Sequence, residues 1–267
     1  MNRFVAAAIT VGIVLGSAPP ALADPIIIIT DQRLTSAFAN PGRPGSPDTR
    51  IVSATANDSL ASTATVSSGT SSSGSSNATL TSSYAALTHW FGNGAADTSW
   101  TTQDSADYRA TSFFGVRFLV TSPLNYAFNG SFAGSSSLGD PRFGSSTSSS
   151  GAALQRLSAA GEVIFGAGTL TVEAGESRAL DRAFAGLLTP GEYFLSVNAG
   201  SSGSVGFRPG TGAGHAGFAF TFDLSAADPA PVPEPASLVL LGAGLAGVFG
   251  CRSRLRNRQS SPVSARR

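Results

Sequence analysis

The chain has 267 residues, 42% of them hydrophobic and only 12% charged, with 31 glycines, 15 prolines and a formal net charge of +1. Its single cysteine, Cys251, excludes an internal disulfide framework, so an exported domain made from this sequence must stand on its packed core. The charge is divided along the chain. All sixteen acids and ten arginines lie between Asp24 and Pro235, a net of −6, whereas the six arginines beyond contribute +6. With basic charge confined to the tail, the central part has no nucleic-acid footprint.

Residues 1–23 read as a secretory signal peptide. Asn2 and Arg3 make a basic start, Phe4 to Gly16 is apolar, and Ala21 and Ala23 place small residues at the cleavage positions before Asp24. The apolar run is shorter than the roughly 20 residues that cross a bilayer. Export through the secretion translocon and cutting by signal peptidase are the corresponding expectations. About 200 residues then remain before the C-terminal signal, enough for one domain with its own core.

Ile26 to Thr30 reads as a first strand, and Pro41 to Pro47 as a loop. From Ser59 to Tyr84 the chain is dominated by Ser, Thr, Ala and Gly. Two readings stand side by side: a flexible linker that buries too little apolar area to order itself, or two strands of small side chains around Ser59 to Val66 and Asn77 to Ala86. Short helices fit only Tyr84 to Phe91 and Gly151 to Ala160.

Further on, period-two alternation is plain at Val116, Phe118 and Val120, at Tyr126 and Phe128, and at Tyr193, Leu195 and Val197. Val163, Phe165, Leu170 and Val172 flank a glycine-containing bend. Phe218, Phe220, Phe222 and Leu224 form the clearest run of all. Thr189-Pro190-Gly191-Glu192 reads as a type II turn, with proline at its second position and glycine at its third. Residues 24–225 are therefore expected to form an all-β antiparallel sandwich or jelly roll.

Chemistry is hard to find in this domain. There are two histidines, His89 and His215, where a catalytic or metal centre ordinarily gathers several ligating side chains. No G-x-S-x-G elbow occurs, and the G-x-G-x-x-G matches at Gly212, Gly214, Gly217 and at Gly242, Gly244, Gly247 lack the strand-before, helix-after context of a dinucleotide site. Asp97, Asp104 and Asp107 could offer oxygens to calcium but lack ligand-loop spacing, and read as solvated carboxylates. The expectation is a non-enzymatic protein without cofactor or metal. An enzyme would require a histidine to meet a nucleophile or carboxylates in a cleft. A carbohydrate-binding module would require Trp90, Trp100 and Tyr108 to converge on one exposed face. The sequons at Asn57, Asn77 and Asn129 are short enough to arise by chance.

The C-terminal stretch is the most legible. Pro229, Pro231, Pro233 and Pro235 recur at every second residue, removing backbone donors and favouring an extended, accessible spacer over 226–235. Pro235 suits the first turn of a helix, and Glu234 suits the positive end of its dipole. Residues 236–251 would form a single transmembrane helix of about 24 Å, marginal against a core of roughly 30 Å. Arg252, Arg254, Arg256 and Arg258 then stop transfer and hold 252–267 in the cytoplasm by the positive-inside bias.

This constellation over 232–258, with Val232, Pro233, Glu234 and Pro235 at its head, resembles the PEP-CTERM sorting signal of exported bacterial proteins. The resemblance implies recognition by an exosortase, a membrane cysteine transpeptidase, with processing near Pro233-Glu234-Pro235. It implies an anchor in the inner membrane first and a place at the cell surface or outside the cell afterwards. It also implies association with exopolysaccharide and biofilm. The expected role is structural or adhesive, the alternative a carbohydrate-binding surface module.

Overall fold

The computed structural model describes residues 24–40, 48–54, 59–68, 72–103, 105–158, 161–206 and 208–227. Its strands all lie within the first of two compact units, Met1–Ala226. They are β1 (Ile26–Asn40), β2 (Asp48–Ala54), β3 (Ser59–Ser68), β4 (Ser72–Ala86), β5 (His89–Thr102) and β6 (Ala106–Val120), followed by β7 (Leu124–Leu138), β8 (Gly144–Arg156), β9 (Glu162–Glu173), β10 (Ser177–Leu188), β11 (Gly191–Val205) and β12 (Gly210–Ala226). Two six-stranded sheets result, β2-β1-β6-β11-β8-β9 and β10-β7-β12-β5-β4-β3, hereafter sheets A and B. Every pairing is antiparallel. The sheets face each other, with β6 over β4 and β5, β11 over β5 and β12, and β8 over β7 and β12.

The all-β architecture expected from period-two alternation is present. The Ser/Thr/Ala/Gly stretch resolves as the hairpin β3–β4, so pairing rather than linker wins there. The two short helices do not form. Gly151–Arg156 completes β8 between β11 and β9, Tyr84–Ala86 ends β4, and His89–Phe91 begins β5. In each case ladder partners outside the segment outweigh a weak local helix preference. Positive φ falls on Gly191 as expected, but at 155° rather than the roughly 80° of a type II turn. The Tyr193 hydroxyl ties that turn down by donating to the Thr189 carbonyl at 2.8 Å. Pro41 to Pro47 and the C-terminal span 236–251 lie outside the described residues. Among the described residues no helix is long and apolar enough to cross a membrane.

The interior is graded from one end to the other. At the end where β12 finishes, the inward side chains are large: Trp90 meets Phe118 edge-on at 4.9 Å between ring centroids, and Phe222, Phe220 and Tyr193 complete the layer. Burying each of these rings is worth on the order of 1.5–3 kcal/mol against exposure. Midway along, the same strands turn inward mostly Ala, Gly, Ser and Thr. Ser112 donates to the Thr79 carbonyl at 2.8 Å, Ser76 to the Phe38 carbonyl at 2.7 Å and Ser148 to the Ser135 carbonyl at 2.9 Å. Each bond crosses from one sheet to the main chain of the other, which requires facing positions without bulk. Thr98 and Ser201 meet hydroxyl to hydroxyl at 2.7 Å. A small second cluster, in which Trp100 stacks on Tyr108 at 5.8 Å, closes the far end.

Candidate functional site

The two histidines occupy matching places in the β5–β12 ladder. His89 stands opposite Asp223 near one end, and His215 opposite Asp97 eight residues along each strand. Both pairs point away from the sandwich interior, because on each strand the intervening residues, among them Trp90, Ala96, Ala216 and Phe222, are the buried ones. His89 Nδ1 lies 2.5 Å from Asp223 Oδ1 and His215 Nδ1 lies 2.6 Å from Asp97 Oδ1, with all four side chains roughly half exposed. Sequence reading left these histidines without partners. The register of two strands more than 100 residues apart supplies them, and no local signal could.

Around His215 the outer face of sheet B is a row of short polar side chains. Asn77 on β4, Asp97 on β5, His215 on β12, Ser135 on β7 and Ser177 on β10 stand side by side across five strands. The second ring nitrogen of His215 lies 3.4 Å from where a Cβ on Gly217 would stand, two residues along its own strand. A serine and an aspartate thus flank the imidazole across the ladder, and of the two the aspartate is the one in hydrogen-bond contact with it. Beyond it a shallow groove of about 770 Å³ runs toward the far end, bordered by Ser75, Ser99, Thr101, Ser137 and Thr211.

The aromatic platform does not exist. Trp90, Trp100 and Tyr108 are 0%, 3% and 0% exposed, packed between the sheets as core and stacking residues. Asp97 and Asp107 stand in different sheets. Asp97 holds His215, and Asp107 accepts from the Arg109 guanidinium at 3.0 Å, while Asp104 lies outside the described residues. Among the described residues no group of three or more His, Cys, Asp or Glu side chains gathers as a metal site would require. Gly212, Gly214 and Gly217 lie within β12 rather than at a strand-to-helix turn. Of the sequon asparagines, Asn77 and Asn129 sit on β4 and β7, and Asn57 is not described.

The remaining predicted site residues lie in the C-terminal 40 residues or at the N-terminal cut. Val232, Pro233, Glu234, Pro235 and the four tail arginines are outside the described residues, as are Ala21 and Ala23. Asp24 is described, and its carbonyl accepts a bond from the Thr121 hydroxyl at 3.1 Å. Residues 231–254 match the profile of the PEP-CTERM protein-sorting motif. The chain carries a PEP-CTERM sorting motif. The PEP-CTERM motif marks it as an exosortase-targeted surface protein, exported with a membrane-anchored C-terminus. No curated protein matches the chain. Among solved structures, a chain from the infectious bursal disease virus Gx strain is similar at 11% identity, over 90% of this chain and 92% of that one, with a TM-score of 0.18. A likeness of that degree carries no argument.

Proposed function

We propose that this protein is a non-enzymatic structural or adhesive component of the bacterial surface or extracellular matrix, released from its anchor by exosortase cleavage near Pro233-Glu234-Pro235. The PEP-CTERM motif carries the reading. The domain it delivers supports it: the imidazoles are engaged by aspartates on an open sheet face, and the interior is filled by packed rings and cross-sheet hydroxyl bonds. The strand order also supports a jelly roll as the finer fold. Its last eight strands run β5-β12-β7-β10 against β6-β11-β8-β9, the interleaving of two Greek keys, and β1–β4 add a hairpin's width to each sheet. The test of the sorting role compares the mass of the surface protein in cells with and without exosortase. Loss of the arginine tail only where exosortase is present is the expected result, and retention in both shows the segment to be a plain anchor.

A second reading follows from the groove on sheet B. Its Ser and Thr rim offers hydrogen bonds, which suits weak contact with an extended exopolysaccharide chain. A glycan-binding screen tests it, and uniformly negative binding leaves the structural role alone.

A further inference from the structure

Eight large hydrophobic side chains are exposed among the described residues, and seven of them encircle one end of the sandwich. Strand register defines that end: Ile26 and Gly191 stand opposite Val120, and Leu124 stands opposite both Leu188 and Ala226. Ile27 and Ile29 lie in the first four residues of β1, Val163 is the second residue of β9, Phe91 the third of β5, and Leu187 the last but one of β10. Leu87 and Leu157 occupy the turns after β4 and β8. Ile27 and Val163 face outward from sheet A, and Phe91 and Leu187 outward from sheet B, so the apolar surface forms a girdle rather than a patch on one side. Their exposures run from 39% for Leu87 to 57% for Val163.

The opposite end is charged. Asp140 pairs with Arg142, Glu176 with Arg178 and Asp107 with Arg109, and Arg208 lies over the Phe143 ring at 4.9 Å. Ion pairs occur at both ends, Arg117 with Glu192 and His89 with Asp223 at the tip, but the large exposed hydrophobics gather at the tip alone.

We propose that the apolar tip rests on the lipid surface while the protein is still anchored, immersing its girdle at the headgroup boundary. The proposal rests on the reading of 236–251 as a membrane anchor. Two observations select lipid over a protein partner. The chain leaves the domain at Ala226, on this same tip, and the nine residues 227–235 reach at most about 30 Å, so the tether holds the girdle within range of the bilayer. A girdle present on both outer faces fits a planar fluid medium that closes around a tip, whereas a protein partner would require a one-sided patch. The acids at the tip, Asp24, Glu162, Glu192 and Asp223, outnumber its arginines, Arg117 and Arg156, so attachment comes from apolar contact rather than attraction to anionic headgroups, and added salt does not weaken it.

The test uses the full chain with Cys251→Ser, reconstituted at about one molecule per vesicle of phosphatidylethanolamine and phosphatidylglycerol. Single cysteines at Thr88→Cys and Ser158→Cys on the tip, and at Ser204→Cys on the far end, carry an environment-sensitive fluorophore and leave the girdle intact. Quenching of the tip labels by nitroxide lipids, with at least about threefold protection from aqueous iodide relative to the Ser204 label, is expected for immersion of roughly 5–10 Å. Phe91→Glu with Leu187→Glu should abolish that protection without releasing the protein from the vesicles. Tip and far-end labels equally open to iodide on protein that floats with the vesicles overturn the proposal and leave the anchor intact. Failure of the full chain to float overturns the anchor reading and this proposal with it.

Discussion

Trp100 shows how tightly individual residues are specified at the far end. Its ring occupies the space where a Cβ on Gly203 or Gly212 would stand, 1.9 Å and 2.2 Å from the nearest ring carbons. Gly203→Ala is thus expected to destabilise by about 1–3 kcal/mol through overpacking. Gly166→Ala, whose added methyl meets nothing within 4 Å, is the neutral control. Thermal unfolding of the two variants side by side checks this. Asp140 is a second residue-scale case. Hydrogen bonds from the Arg142 side chain, then from its backbone N–H, hold the carboxyl at about 2 against an ordinary 3.8. Because the folded value is depressed, the contribution of this pair is present above the ordinary carboxylate value and disappears as pH falls through about 2. The pair is exposed, and its effect on stability is small. A carbon-detected NMR titration should place the Asp140 midpoint near 2, and Arg142→Ala should return it toward 3.8.

At the scale of elements, the serine-rich strands become intelligible as a packing solution. A strand with Ser at alternate inward positions cannot gain much from apolar burial, but it can satisfy hydroxyls against carbonyls of the facing sheet if both sheets keep their side chains small. Strand β8 does this with Ser146, Ser148 and Ser150, which donate to the Ala213, Ser135 and Ala133 carbonyls. Ser112→Ala on β6 removes one such bond and is expected to cost about 0.5–1.5 kcal/mol in chemical denaturation. Tyr108→Phe is expected to be neutral or stabilising, because the Tyr108 hydroxyl is buried with no partner among the described residues. Opposite signs for these two deletions of a hydroxyl separate bonded from merely buried polar groups.

For the whole molecule, stability comes from the aromatic end and from ladder pairing along strands of up to 17 residues, since the sole cysteine lies in the C-terminal segment. Unfolding of the full chain should therefore keep the same midpoint with and without dithiothreitol, and a shift of more than a degree or so would show a role for intermolecular Cys251 pairing. The long sequence separation of the β1–β6 and β6–β11 pairings predicts slow folding, dominated by loop closure. Export in the unfolded state is compatible with that, because no domain need form before the chain has crossed.

The sequence by itself determined the strands whose own side chains alternate, such as Phe218 to Leu224 in β12, because burial on one sheet face is written at a two-residue period. It also determined the sorting segment, whose recognition depends on a local stretch of sequence: prolines that forbid helix, an apolar run, and arginines at every second position. The tertiary structure decided what depends on register between distant strands. It chose strand over linker for 59–86, where small side chains leave local preference nearly flat and the partners on β5 settle the matter. It placed Trp90, Trp100 and Tyr108 inside rather than on a sugar-binding face, because the inward or outward phase of each strand is set by its neighbours. It gave His89 and His215 their aspartates, and it gathered exposed hydrophobics from β1, β5, β9, β10 and two turns onto the tip from which the chain departs. No single segment carries that gathering, because it arises only when antiparallel pairing brings strand starts and strand ends to the same side.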